Sequence, residues 1–133
     1  MDKIKSLAAW LVVLGGFLFN KFDGLMWALI TFIVLDYLTG VLAAAVRKEL
    51  SSEIGAKGIA KKLLVFVVII IANVVDVQII GENHVLRSIT IMFYIANESI
   101  SILENAGSLG VPVPKKILSV LIQLKSKEDN NEL

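Results

Sequence analysis

The sequence predicts an all-α membrane protein with four transmembrane helices, a basic interfacial segment and a C-terminal amphipathic helix. Three observations lead there. Apolar residues make up 56% of the 133-residue chain and charged residues 19%, against about 45–50% and about 25% in a typical soluble domain. The apolar residues are gathered into four blocks. The basic residues sit almost wholly at the chain ends and on one of the connections between those blocks.

The first block runs from Ser6 to Phe19 and extends to Ile4 and Phe22; the second is Gly24 to Val46, the third Leu63 to Ile80, and the fourth Ser88 to Leu103. A bilayer core needs about 17–25 helical residues. The second and third blocks satisfy this. The first and fourth are short and need flanking residues or a locally thinned bilayer. Lys3 and Lys5 give the first block the look of a signal peptide, but "LFNKFDG" follows where a small-x-small cleavage site belongs, so the block is expected to be retained.

Charge placement favours four crossings. With the N-terminus cytoplasmic, every basic residue except Lys21 and Arg87 falls on the cytoplasmic side, which is the positive-inside bias. Three crossings would put either the basic N-terminus or the C-terminal lysines outside. The expected division is a membrane domain over 1–110 and a cytoplasmic helix and tail over 111–133.

Two segments read as interfacial. Residues 47–62, "RKELSSEIGAKGIAKK", are rich in Lys and Arg, suited to an anionic lipid surface. Gly55 and Gly58 weaken this stretch as a helix. After Pro112 and Pro114, Lys116, Ser119, Gln123 and Lys127 make one polar stripe on an otherwise mostly apolar segment, an amphipathic pattern too short to span. The plain alternatives are a solvated loop and a helix packed on a partner. "EDNNEL" reads as a frayed tail.

Composition excludes much else. There is no cysteine and a single histidine, His84, which argues against a zinc site and a Ser-His-Asp triad. Gly107 and Gly110 lie three apart but lack the strand-to-helix setting of a phosphate loop. The net charge of +1 calls for no nucleic acid. No cofactor and no catalytic residue is expected.

The candidate functional residues are the polar groups inside the blocks. Asp36 lies near the centre of the second, Asn73 and Asp76 in the third, Asn97 and Glu98 in the fourth. An acidic residue at a helix centre costs about 2.5–3.5 kcal/mol on insertion scales, so three cost roughly 9 kcal/mol. With no Lys or Arg inside any block, the carboxyls are expected to be protonated, bonded to one another, or facing water. Steps of three and four from Asp36 reach Thr39 and Gly40, and Gly40 with Ala44 forms a small-xxx-small pair that admits a close helix. Tyr94, Asn97, Glu98, Ser101 and Asn105 form a polar stripe that cannot face lipid. These groups serve either as glue, at about 0.6 kcal/mol per contact, or as the lining of a lumen shared by several copies. Asn73 reads as structural.

The stretches "LDYLTGVLAA", "LSSEIGAKGIAKK" and "FYIANESISILENAGSLGVPVP" resemble the phage lysis and toxin-secretion holins of Gram-positive bacteria and their phages. The resemblance runs from about Leu35 to Leu124. It rests on Asp36, Thr39, Gly40, Ser52, Gly55, Lys57, Gly58, Glu98, Glu104, Asn105, Gly107, Gly110 and Pro112. It implies a small protein of the bacterial cytoplasmic membrane that contacts lipid, forms homo-oligomers and opens a lesion for a peptidoglycan hydrolase or a toxin. Read from the residues alone, a small ion- or proton-coupled transporter and a non-conducting scaffold stay open. Four crossings with both termini inside predict that an impermeant thiol reagent labels cysteines placed at Asp23 and His84, and spares those at Ser6, Ser51 and Ser126.

Overall fold

The computed structural model describes residues 1–81 and 84–131, with side chains described through residue 123. Helix α1 spans Asp2–Phe19, α2 Gly24–Val46, α3 Ser52–Val75, α4 Val85–Ser108 and α5 Lys115–Asn131; a π-helical turn, Asp76–Ile80, continues α3. No strand occurs among the described residues. Gly24–Val46 and Ser52–Ile80 are long and apolar enough to cross a membrane. Helix α4, at 24 residues, is about 36 Å long, but its polar stripe dilutes it.

The second block and α2 coincide. The third differs at its start. Residues 52–62, expected as part of a separate interfacial segment, are the first turns of α3 itself. Ser51 caps that helix, its hydroxyl accepting from the Ile54 N–H. Gly55 faces α2, where a Cβ at this position would meet Tyr37 Oη at an ordinary contact distance of 3.5 Å. Arg87, expected in a loop, belongs to the first turn of α4 and is 2% exposed. At the other end of the chain, α5 includes residues 128–131, expected as frayed tail; Glu132 and Leu133 lie outside the described residues.

Helix ends follow local chemistry. At the end of α4, Gly110 adopts φ 87°, its N–H bonding Gly107 O while the Val111 N–H bonds Ala106 O. This is a Schellman ending, with glycine in the left-handed position and proline soon after. The motif "AGSLGVPVP" therefore stops a helix. Helix α2 ends in the same pattern with Lys48 at φ 57°. Helix α5 then turns back onto the bundle, and Ile117 and Leu121 share a groove with Phe32, Leu35, Ile95 and Leu103.

Polarity is inverted relative to a soluble domain. Trp10, Val12 and Ile79 are 72%, 74% and 75% exposed, and α1 buries no residue. Asp76, Arg87 and Glu98 are 1%, 2% and 4% exposed. The apolar core is small: Met26, Leu29 and Ile33 of α2 against Ile69 of α3 and Ile91 of α4, with Phe19, Phe66 and Tyr94 around them. An apolar skin over buried charge fits lipid as solvent.

At the end carrying the 20–23 and 81–84 connections, Arg87 joins the helices. Its Nε donates to Phe19 O and its Nη2 to Lys21 O, each at 2.7 Å, and Nη1 reaches Asp23 Oδ2 at 3.0 Å. The C-terminus of α1 thereby gains a donor for a carbonyl it cannot satisfy internally. Asp23 also caps α2 through the Met26 N–H. The Arg87 hydrogen bonds hold the Asp23 carboxyl below its ordinary value of 3.8, aided by the Met26 N–H and opposed by burial. A lowered carboxyl pKa contributes stability above 3.8 that is lost as pH falls through the lowered value. Arg87→Met is expected to lower the thermal midpoint in detergent by the equivalent of about 1–3 kcal/mol, the cost of polar groups left unpaired. Asp23→Asn is expected to reduce the fall in midpoint that the parent shows below pH 3.8.

Candidate functional site

Asp36, Lys62 and Glu98 occupy one layer of the bundle. Each lies ten residues from its helix end at Val46, Ser52 or Ser108, about 15 Å along the axis. The Lys62 ammonium donates to Asp36 Oδ2 and Glu98 Oε2, both at 2.6 Å. The side chains of Lys62, Asp36 and Glu98 are 20%, 10% and 5% exposed. Asn105 Nδ2 lies 3.1 Å from Asp36 Oδ1, 3.3 Å from Asp36 O and 2.9 Å from Thr39 Oγ1. Ser101 lines the cleft beside the layer. Gly40 faces this group, and a Cβ there would sit in ordinary contact, 3.6 Å from Asn105 Nδ2.

This arrangement replaces the expectation that the carboxyls lack a basic partner. Lys62 immediately precedes the third apolar block, where hydropathy places it at the interface. Its register was readable: Gly55, Gly58 and Lys62 follow steps of three and four, which put them on one helix face. Magnitude decides the main contributor. Polar contacts between membrane helices contribute about 0.6 kcal/mol, whereas removing one partner of a buried ion pair costs about 3–5 kcal/mol. Lys62, with a bond to each carboxylate, dominates the layer. Two carboxylates against one ammonium leave an excess negative charge when all three are ionised.

The other expected residues divide among different places. Asp76 does not join the layer. Its carboxylate accepts from the Leu86 and Arg87 N–H groups at 3.1 and 2.7 Å, capping α4 where His84, in a left-handed conformation, makes no side-chain cap. Asn73 Nδ2 donates to Phe17 O and Leu18 O and ties α3 to α1, in line with a structural role; its Oδ1 is buried without a partner in the structure. Tyr94 packs against the apolar core, edge-on to Phe93 with 5.2 Å between ring centres. Asn97 is half-buried on α4. Beside the layer a cleft of about 260 Å³ is lined by Gly40, Ala44, Gly55, Gly58, Lys62 and Ser101, among others. Ser52, Lys57, Glu104 and Gly107 do not line it. Among the described residues no group of three His, Asp or Glu side chains is placed to hold a metal ion.

The family model for the bacteriophage holin family matches residues 13–126. The chain belongs to the bacteriophage holin family. A protein of Bacillus phage phi105 named "Probable holin" is 42% identical over 96 residues, covering 72% of this chain and 70% of its own. An uncharacterized 14.9 kDa protein of Clostridium perfringens is 41% identical over 132 residues, covering 96% of this chain and all of its own. An uncharacterized protein of Listeria monocytogenes is 44% identical over 119 residues, covering 88% and 84%. No solved structure matches the chain. The holin family and the two apolar helices make this a membrane protein.

In this chain, motif positions take two physical roles. Asp36, Thr39, Gly40, Gly55, Gly58, Glu98 and Asn105 build the charged layer and its cleft, while Gly110 ends α4. Asn105→Leu is expected to leave Asp36 Oδ1 short of a donor and to cost about 1–3 kcal/mol, measured as a lower unfolding midpoint in detergent.

Proposed function

We propose that the chain acts as a holin in the full sense. It accumulates in the bacterial cytoplasmic membrane, assembles into homo-oligomers and opens a lesion. A peptidoglycan hydrolase, or in a related setting a toxin, leaves through it. Family membership and the phage relative named "Probable holin" support this reading. The observation that carries it furthest is the buried layer of Asp36, Lys62 and Glu98 under an apolar skin. A 133-residue chain is too small to enclose a wide pore, so the lesion requires many copies. In the closed subunit the charges satisfy one another; in the assembly they would face a shared aqueous bore, where exposure to water removes the desolvation cost.

The proposed topology has four crossings by α1 to α4 with both termini cytoplasmic. Helix α1 has 18 residues, about 27 Å, close to a bilayer core of about 30 Å. The exposed apolar surface of α1 favours lipid around it.

Expression in a bacterial host tests the reading. A holin kills the cell and releases a protein-sized reporter; leakage of small solutes alone would point to a transporter, and no leakage to a scaffold. Asp36→Asn and Glu98→Gln are expected to change the time of lysis at equal accumulation. Asp76→Asn is expected to lower accumulation instead, because it weakens the cap of α4.

A further inference from the structure

The bundle is built in two unlike halves. Toward the 20–23 and 81–84 connections, Met26, Leu29, Ile33, Ile69 and Ile91 close into the apolar core. Toward the 47–51 and 109–114 connections the packing changes. In α2 beyond Asp36, α3 before Lys62 and α4 beyond Glu98, the only fully buried side chain is Ala43. The side-chain hydrogen bonds between α2, α3 and α4 there run from Lys62 to Asp36 and Glu98 and from Asn105 to Asp36 and Thr39, beside partly buried apolar contacts. Asn105 joins α4 to α2, so Lys62 is the side chain that ties α3 to both. Packing between α2 and α3 is the thinnest of any two α-helices in contact, and the glycine-lined cleft of about 260 Å³ lies between them.

We propose that Lys62 is a latch: withdrawal of its ammonium from Asp36 and Glu98 lets this half of α3 swing away from α2 and α4, with the apolar half as hinge. Asp36 and Glu98 would then lose their shared cation and turn toward water through the cleft. Lys62 has somewhere to go, since its side chain is 20% exposed and lines the cleft. A strongly hydrated ammonium on a flexible stem suits reversible release. The consequence for lysis rests on the holin reading; the opening itself does not.

The chain has no cysteine, so single introduced thiols report directly. Val41 lines the cleft and Ile69 sits in the apolar core, and each is replaced in turn, as Val41→Cys and Ile69→Cys. In membrane vesicles carrying the full chain, Lys62→Gln is expected to raise the maleimide labelling rate of the Val41→Cys thiol by about 100-fold or more, as loss of a buried pair partner implies. The Ile69→Cys thiol should stay as protected as it is with Lys62 in place, and Lys62→Arg should leave both labelling rates unchanged. Unchanged labelling of the cleft thiol in Lys62→Gln overturns the latch. Exposure of both thiols overturns it too, because Lys62 would then support the whole fold. If Lys62→Gln does not accumulate, Glu98→Gln replaces it, with a smaller rise confined to the cleft thiol expected and no rise counting against the latch. Time to lysis is scored separately at equal accumulation: earlier onset in Lys62→Gln ties the latch to holin action. Opening without earlier lysis would contradict that tie and leave the latch standing.

Discussion

The two bonds of the Lys62 ammonium, to Asp36 and Glu98 at 2.6 Å each, are the constraint on which the rest of the structure depends. Carboxyl groups near the middle of apolar helices each cost about 2.5–3.5 kcal/mol to place in a membrane. Hydrogen bonds of about 0.6 kcal/mol do not offset that. A shared lysine gives both carboxylates a charged partner, provided three helices deliver their charges to one depth. The equal spacing of these residues from their helix ends meets that condition. Gly40 and Gly55 line the cleft beside the layer.

Arg87 performs the corresponding task at the other end, through carbonyls instead of opposing charge alone. It supplies donors to Phe19 O and Lys21 O, while Asp76 accepts from the first turn of α4. The bundle is thus fastened by polar groups at two levels, with a modest apolar core between the Arg87 level and mid-depth. Such a design leaves most apolar side chains free to face lipid, as the exposure of α1 illustrates. It also gives the two halves of the subunit different strengths, since close packing resists opening more evenly than a few charged bonds do.

The fold was legible in the sequence wherever hydropathy alone decides. The bounds of α2 followed from its apolar run, Gly24 to Val46, broken by the single charge of Asp36. The fourth block was bounded less closely: α4 runs from Val85 to Ser108, beyond the Ser88–Leu103 that hydropathy marks, and stops at Gly110. Legibility failed where a basic residue borders an apolar block. Hydropathy assigns Lys62 and Arg87 to connections, because a lysine or arginine at a block edge normally reaches for water. Both point inward, and a one-dimensional hydropathy reading has no means of telling which side of a helix an edge residue takes. The same limit hid the role of Asp76, whose partners lie ten and eleven residues away across the π-helical turn and the connection to α4. The residues of the polar stripe on α4 form one group in the sequence, yet they separate in space: Glu98 and Asn105 join the charged layer, Ser101 lines the cleft beside it, and Tyr94 packs against the apolar core.

The measurement that tests the central claim most directly is a double-mutant cycle between Lys62 and Glu98. Unfolding of the detergent-solubilised chain would be followed for the parent, Lys62→Gln, Glu98→Gln and the double variant. Residues in one buried charge network couple by about 0.5–3 kcal/mol, and a coupling in the upper part of that range is expected here. Losses that simply add would show that the two groups do not depend on each other, and the account of the charged layer would be contradicted.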